Sequence, residues 1–177
     1  MPSPLGHGLA AVAAAWLATA PPPERRARLQ QAAILIAIGV APDLDLLWGR
    51  HSMETHSLGA AALVASLAVW QRWPVASSPL RIWLAVAAAW LTHPLLDALS
   101  ADSSPPIGIQ LLWPMSGVYV SAGIEVFGPI SRRYWLDSFW AINLASIARE
   151  VVILVPVVVG ATWLRLRRPP PPASRTR

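Results

Sequence analysis

Four histidines, His7, His51, His56 and His93, and three aspartates, Asp43, Asp45 and Asp97, stand at spacings that could do chemistry. Imidazole and carboxylate together form a ligand set for a divalent metal such as zinc, manganese or iron. Seven such groups exceed what one tetrahedral ion needs. A pair of ions, clamping the attacking and leaving oxygens of a displacement, would use them fully, with an ion-activated water as nucleophile. Asp43 and Asp45 flank Leu44, and in an extended segment their carboxylates point to the same side. His93 and Asp97, four apart on a helix, share one face. Singly, each element has a bland explanation: an internal His–Asp hydrogen bond, or a turn with a helix cap. The chain has no cysteine, so thiolate sites, disulfides and iron–sulfur clusters are excluded.

The elements that must position these groups are apolar helices. Apolar residues make up 55% of the 177 and charged residues 13%, with a mean hydropathy of +0.48. That excludes disorder for the bulk of the chain and points to an all-α integral membrane bundle of about five helices. The expected helices are Leu5–Ala20, Gln31–Val40, Ser57–Trp70, Leu80–Leu99 and Phe139–Leu166. Between the last two, Ala101–Ser138 reads as a long Gly- and Pro-bearing loop. The second run is short for a crossing, which takes about 20 apolar residues. Ala18-Thr19-Ala20 resembles a signal-peptidase site, but the missing basic region ahead of it favours a retained helix. Residues 1–166 form one membrane-embedded domain, followed by an Arg/Pro-rich tail, 167–177, expected to be disordered.

Chain order alone pools the seven groups. The first helix leaves from His7 and the second returns to Asp43; the third leaves from His56 and the fourth returns to His93 and Asp97. All seven thus gather at one end of the bundle. Ionisable groups near a bilayer persist mainly where they pair, bind ions or line a cavity, so the pooled set outweighs its single members. Asp43, Asp45, His56, His93 and Asp97 are the core ligands and the candidates for catalysis, with His7 and His51 completing the shell.

The net charge of +5 is carried entirely by arginine, in short clusters between apolar runs rather than along one face. No nucleic-acid partner is expected from that distribution; the partner is the lipid bilayer. Connections at the ligand end carry Arg50, Arg132, Arg133 and Arg149, and the other ten arginines fall at the opposite end. Arginine-rich loops stay cytoplasmic, so the expectation is a multi-pass protein of the inner (plasma) membrane with its site on the extracytoplasmic side. Asp102 reads as a helix-end turn residue, Glu54 and Glu125 as solvated loop carboxylates. Arg132 and Arg133 serve either as a juxtamembrane pair or as a phosphate clamp. Trp48, Trp113, Trp135 and Trp140 read as interface anchors.

The order His7, Ala41-Pro42-Asp43-Leu44-Asp45, His51, Thr55-His56-Ser57, Thr92-His93-Pro94-Leu95-Leu96-Asp97 and Leu111-Leu112-Trp113-Pro114 resembles the membrane-bound metal-dependent hydrolases of the YdjM type. The resemblance covers roughly residues 5–120, with a looser likeness through Glu150. It implies that the Pro-Asp-x-Asp, Thr-His-Ser and His-x-x-x-Asp elements hold metal, two ions of zinc or manganese. The family is also distantly similar to zinc-dependent phospholipase C and P1 nuclease, which implies hydrolysis of a lipid-linked or membrane-proximal phosphoester. Many members carry His-Arg-Gly where this chain has His51-Ser52-Met53-Glu54, so a phosphate-contacting arginine is missing there. The soluble enzymes also use a processed amino terminus as a ligand, so no third metal is expected here. The alternative is a non-catalytic metal-binding or transport protein using the same ligands.

Overall fold

Serine and proline set most of the helix starts. Ser3, Ser57 and Ser78 each cap a first turn, their hydroxyls accepting from the backbone N–H of Gly6, Ala60 and Arg81. Pro4 and Pro79 follow two of these caps, where a missing N–H costs nothing. The computed structural model describes residues 1–49, 51–102 and 105–167, so all of the expected tail beyond Arg167 lies outside it. Within those residues the chain forms five α-helices and no strand: α1 (Pro4–Thr19), α2 (Arg25–Val40), α3 (Leu58–Trp70), α4 (Pro79–Ala98) and α5 (Phe139–Leu166). The all-α expectation holds, and α5 has the expected bounds. Helix α2 begins six residues earlier than Gln31, because its arginine-rich first turn continues the helix without needing apolar residues.

One local expectation fails. Ala41–Trp48 is not extended but a 3₁₀ helix that continues directly from α2. Pro42 sits in its first turn, where its fixed φ is compatible with helix, so the proline tightens the helix rather than ending it. With about three residues per turn, positions two apart no longer share a side. Asp43 and Asp45 therefore face different neighbours.

Helix α1 packs against α2, α4 and α5, and α3 packs on α4. The interior is built of small residues: Ala11, Ala15, Ala65, Ala68, Ala85 and Ala89 are fully buried. The large apolar side chains point outward instead, Leu63 being 69% exposed and Val152 73%. Arg25–Trp48 and Phe139–Leu166 are long and apolar enough to cross a membrane. At the end away from the histidines, the buried Gln31 ties the bundle: its Oε1 accepts from Trp16 Nε1 at 2.8 Å and its Nε2 donates to Val75 O at 2.6 Å.

Helix α5 carries no expected ligand, yet it fixes the position of one. Glu150 is fully buried and accepts from the Ser3 backbone N–H at 2.7 Å and from the Ser3 hydroxyl. Its carboxyl also lies where a Cβ on Gly6 would stand, so any larger residue there would push Glu150 out of this position. Glu150 thus seats the first turn of α1, and with it His7. It stands three turns into α5, so those turns extend about 16 Å beyond the seat. Replacing Glu150 by alanine strands two buried donors at Ser3 and is expected to cost about 3 kcal/mol of stability. Glu150→Gln, which keeps one acceptor, should recover most of the loss. A thermal melt of Glu150→Ala superimposable on that of the wild type would remove this role.

Candidate metal centre

All seven expected residues come together at one end of the bundle. His7 enters from the first turn of α1, Asp43 and Asp45 from the 3₁₀ helix after α2, and His93 and Asp97 from the last two turns of α4. His56 ends a second short 3₁₀ turn, Glu54–His56, just before α3, and His51 lies in the connection ahead of it. His7, His56 and His93 are fully buried, while His51 sits at the rim with 21% of its side chain exposed. The ring of His7 stacks on that of His93 at 3.6 Å between centroids.

Two sets of ligand atoms are close enough to hold ions: His7, His93 and Asp97 in one, Asp43, His51 and His56 in the other, each within 4.8 Å. Asp97 faces both. Its Oδ1 lies 3.5 Å from His7 Nε2, and its Oδ2 lies 3.3 Å from the Nε2 atoms of both His56 and His93. Asp43 Oδ1 stands 3.4 Å from His93 Nε2 and 3.9 Å from His56 Nε2.

The surroundings set which nitrogen each ring offers. His93 Nδ1 is 2.6 Å from the Gly39 carbonyl, which can only accept, so that nitrogen carries the proton and Nε2 is left as an acceptor. Gly39 is required there for a second reason: a Cβ would collide with Ala11 and with the His7 carbonyl, 2.9 Å away. Asp45 does the same work for two rings. Its Oδ1 is 2.9 Å from His51 Nδ1, and its Oδ2 is 3.1 Å from His56 Nδ1 while accepting the Thr55 hydroxyl at 2.7 Å. Both oxygens of Asp45 are thus engaged in orienting imidazoles, and the carboxylate that faces the two ion sets from this segment is Asp43. Thr55 is itself held from outside, its carbonyl accepting from Trp90 Nε1 at 2.8 Å.

His56 lies between the helices. Burial disfavours its charged form, but the Asp45 carboxylate on Nδ1 and the Asp97 carboxylate facing Nε2 outweigh that and hold its pKa above the ordinary histidine value. A proton and a cation therefore compete for this ring.

Seven buried side-chain atoms lack a hydrogen-bond partner among the described residues, and every one belongs to this cluster: both ring nitrogens of His7, Asp43 Oδ1, His56 Nε2, His93 Nε2 and both oxygens of Asp97. An unpaired buried polar atom costs about 1–3 kcal/mol, and these imidazoles and carboxylates face one another at 3.3–3.9 Å without closing a hydrogen bond. The three carboxylate oxygens accept only, and the Nε2 atoms of His56 and His93 are left as acceptors by their Nδ1 partners. Acceptors converging on one space fit a cation. The residues present suit a divalent metal.

Gly39 and Glu150 support the site without having been singled out by spacing, whereas Thr55 already stands in the Thr-His-Ser element. A glycine near a helix end is the signal that points to the first; nothing local points to Glu150. Asp102 is not drawn into the cluster: its Oδ2 accepts from the Gly108 N–H at 3.0 Å. Trp48, Trp135 and Trp140 are more than half exposed, and Trp113 is partly buried.

Residues 1–169 match the family model described as YdjM inner membrane protein, and the chain belongs to that family. No curated protein and no solved structure matches it.

Proposed function

We propose that this YdjM family member is a multi-pass membrane hydrolase that cleaves phosphoesters with two divalent ions held at the bundle end. The observation that carries the reading is the set of seven unpaired acceptor-rich atoms, all in one cluster. His7, His93 and Asp97 would hold one ion and Asp43, His51 and His56 the other. Bound there, such ions supply Lewis acidity toward a phosphoryl oxygen and lower the pKa of water. The chain's own part is orientation and exclusion. Asp45 and the Gly39 carbonyl fix the rings of His51, His56 and His93, and burial behind α1 and α4 keeps bulk water from His7 and Asp97.

Position favours hydrolysis over transport. A conduction path needs ionisable groups near the bilayer midplane with access from both sides. Here the ligands sit at helix ends, and Asp43 and His51 line a cleft of about 860 Å³ at that end. Small buried residues and large outward ones support a lipid-facing exterior, because bundles in lipid pack through alanine and glycine.

The activity is tested with zinc- or manganese-loaded protein in detergent, presented with 4-nitrophenyl phosphate and its bis ester. Turnover that disappears in a His93→Ala, Asp97→Ala double variant supports the reading. No turnover of either ester above that variant overturns it.

Arg25, Arg26, Arg28, Arg72, Arg81, Arg165 and Arg167 fall at the end opposite the cluster, against Arg132, Arg133 and Arg149 near it. This bias supports a cytoplasmic C-terminal end and an extracytoplasmic site. A reporter fused after Arg177, active only in the cytoplasm, is expected to give full signal. Silence there would invert the orientation.

A further inference from the structure

The cleft over the cluster has a second chemical side that the ligands do not explain. Besides Asp43, His51 and Asp102 it is lined by Arg132 and Arg133, and by the apolar Leu136 and Ile142. The arginine segment is fixed in place. Asn143 of α5 accepts from the Ser131 N–H at 2.7 Å and donates to the Ser131 carbonyl at 3.0 Å, and the Ser146 hydroxyl donates to Pro129 O at 2.8 Å. The three turns of α5 ahead of Glu150 thus hold two cations above the metal end. The Met1 sulfur shows how near they come: it lies 2.7 Å from His51 Nε2 and 3.1 Å from Arg132 Nη2. One atom spans the gap between a candidate ligand and a guanidinium.

We propose that Arg132 and Arg133 form the anion subsite of this cleft, and that its substrate is a phosphate-bearing membrane lipid. The phosphate would lie between the guanidiniums and the metal cluster, in place of the Met1 thioether. Arginine suits that role because its planar fork matches phosphate oxygens two at a time. The acyl side follows from the apolar lining. Leu136 and Ile142 line the cleft, and within two residues of them in the chain Tyr134, Trp135 and Trp140 are exposed, residue types that settle at the membrane interface. A headgroup entering here keeps its chains at the bilayer edge. The substrate class rests on the phosphoester reading above; the anion subsite does not.

The test is binding, with turnover measured beside it. Full-length zinc-loaded protein in detergent is titrated calorimetrically with inorganic phosphate, dihexanoyl phosphatidate and dihexanoyl phosphatidylcholine, as wild type, Arg132→Gln/Arg133→Gln and Leu136→Asn. Wild type is expected to bind the phosphatidate at least about tenfold more tightly than inorganic phosphate. The double glutamine variant should lose at least about tenfold for both anions while its zinc content and melting temperature stay unchanged. Leu136→Asn should weaken the phosphatidate alone. Equal anion binding by wild type and the double variant, or binding of neither anion by wild type, overturns the subsite. Phosphate bound as tightly as phosphatidate, or phosphatidylcholine bound equally well, overturns the lipid assignment. Anion binding lost in the glutamine variant, without turnover of any ester by wild type, leaves the subsite standing and removes the hydrolase.

Discussion

Protein carrying His93→Ala and Asp97→Ala is expected to purify without the ion of the His7, His93 and Asp97 set, where the wild type is expected to hold two equivalents. The pair removes two of the three members of one ligand set, and Asp97 also faces His56 in the other. Structural zinc sites bind with roughly 10–16 kcal/mol from four ligands, about 3 kcal/mol each, so losing two costs about four orders of magnitude in affinity. The same change removes three of the seven unpaired atoms, His93 Nε2 and both Asp97 oxygens. Without metal, the variant should therefore melt no lower than metal-stripped wild type. Chelator should lower the melting temperature of wild type by more than that of the variant, because only a ligand bound to the folded state shifts unfolding. Elemental analysis with two melts decides it. Two equivalents of metal retained by the variant would sink the centre as described.

Which parts of this site were legible in the sequence follows from the range of each signal. Convergence of the seven groups needed only chain order: four apolar runs, alternating in direction, return His7, Asp43, His56 and His93 to one end. The helix bounds were legible where serine, proline or a switch in polarity marks them, as at Ser57 and Phe139. The division of labour between Asp43 and Asp45 was not. It turns on whether Ala41–Trp48 is extended or 3₁₀, and Pro42 is compatible with either. Glu150 was beyond reach for another reason. Its partner Ser3 is 147 residues away, and nothing local distinguishes a carboxyl that seats a distant helix from one that meets solvent. Arg132 and Arg133 were visible as a charge pair. Their placement over the cleft depends on Asn143 and Ser146, which carry no motif.

Asp45→Asn is the substitution that separates orientation from ligation. The carboxylate now receives His51 Nδ1 on one oxygen, and His56 Nδ1 with the Thr55 hydroxyl on the other. An amide keeps the shape but replaces one acceptor by a donor. If its NH₂ faces His56, that ring loses the partner that keeps Nδ1 protonated and Nε2 free for metal. If it faces His51, the rim ring is released instead. Either way one imidazole no longer presents the correct nitrogen. Outer partners of this kind are worth about 10–100-fold in metal affinity, so Asp45→Asn should still fill with two equivalents at saturating zinc, binding about 10–100-fold more weakly. Asp45→Ala should lose more, since both rings and Thr55 are left without the acceptor. Titration against a chromogenic chelator reads affinity and stoichiometry together. A fall from two equivalents to one in Asp45→Asn would make Asp45 a direct ligand, and affinity equal to wild type would show that the rings hold their orientation without it.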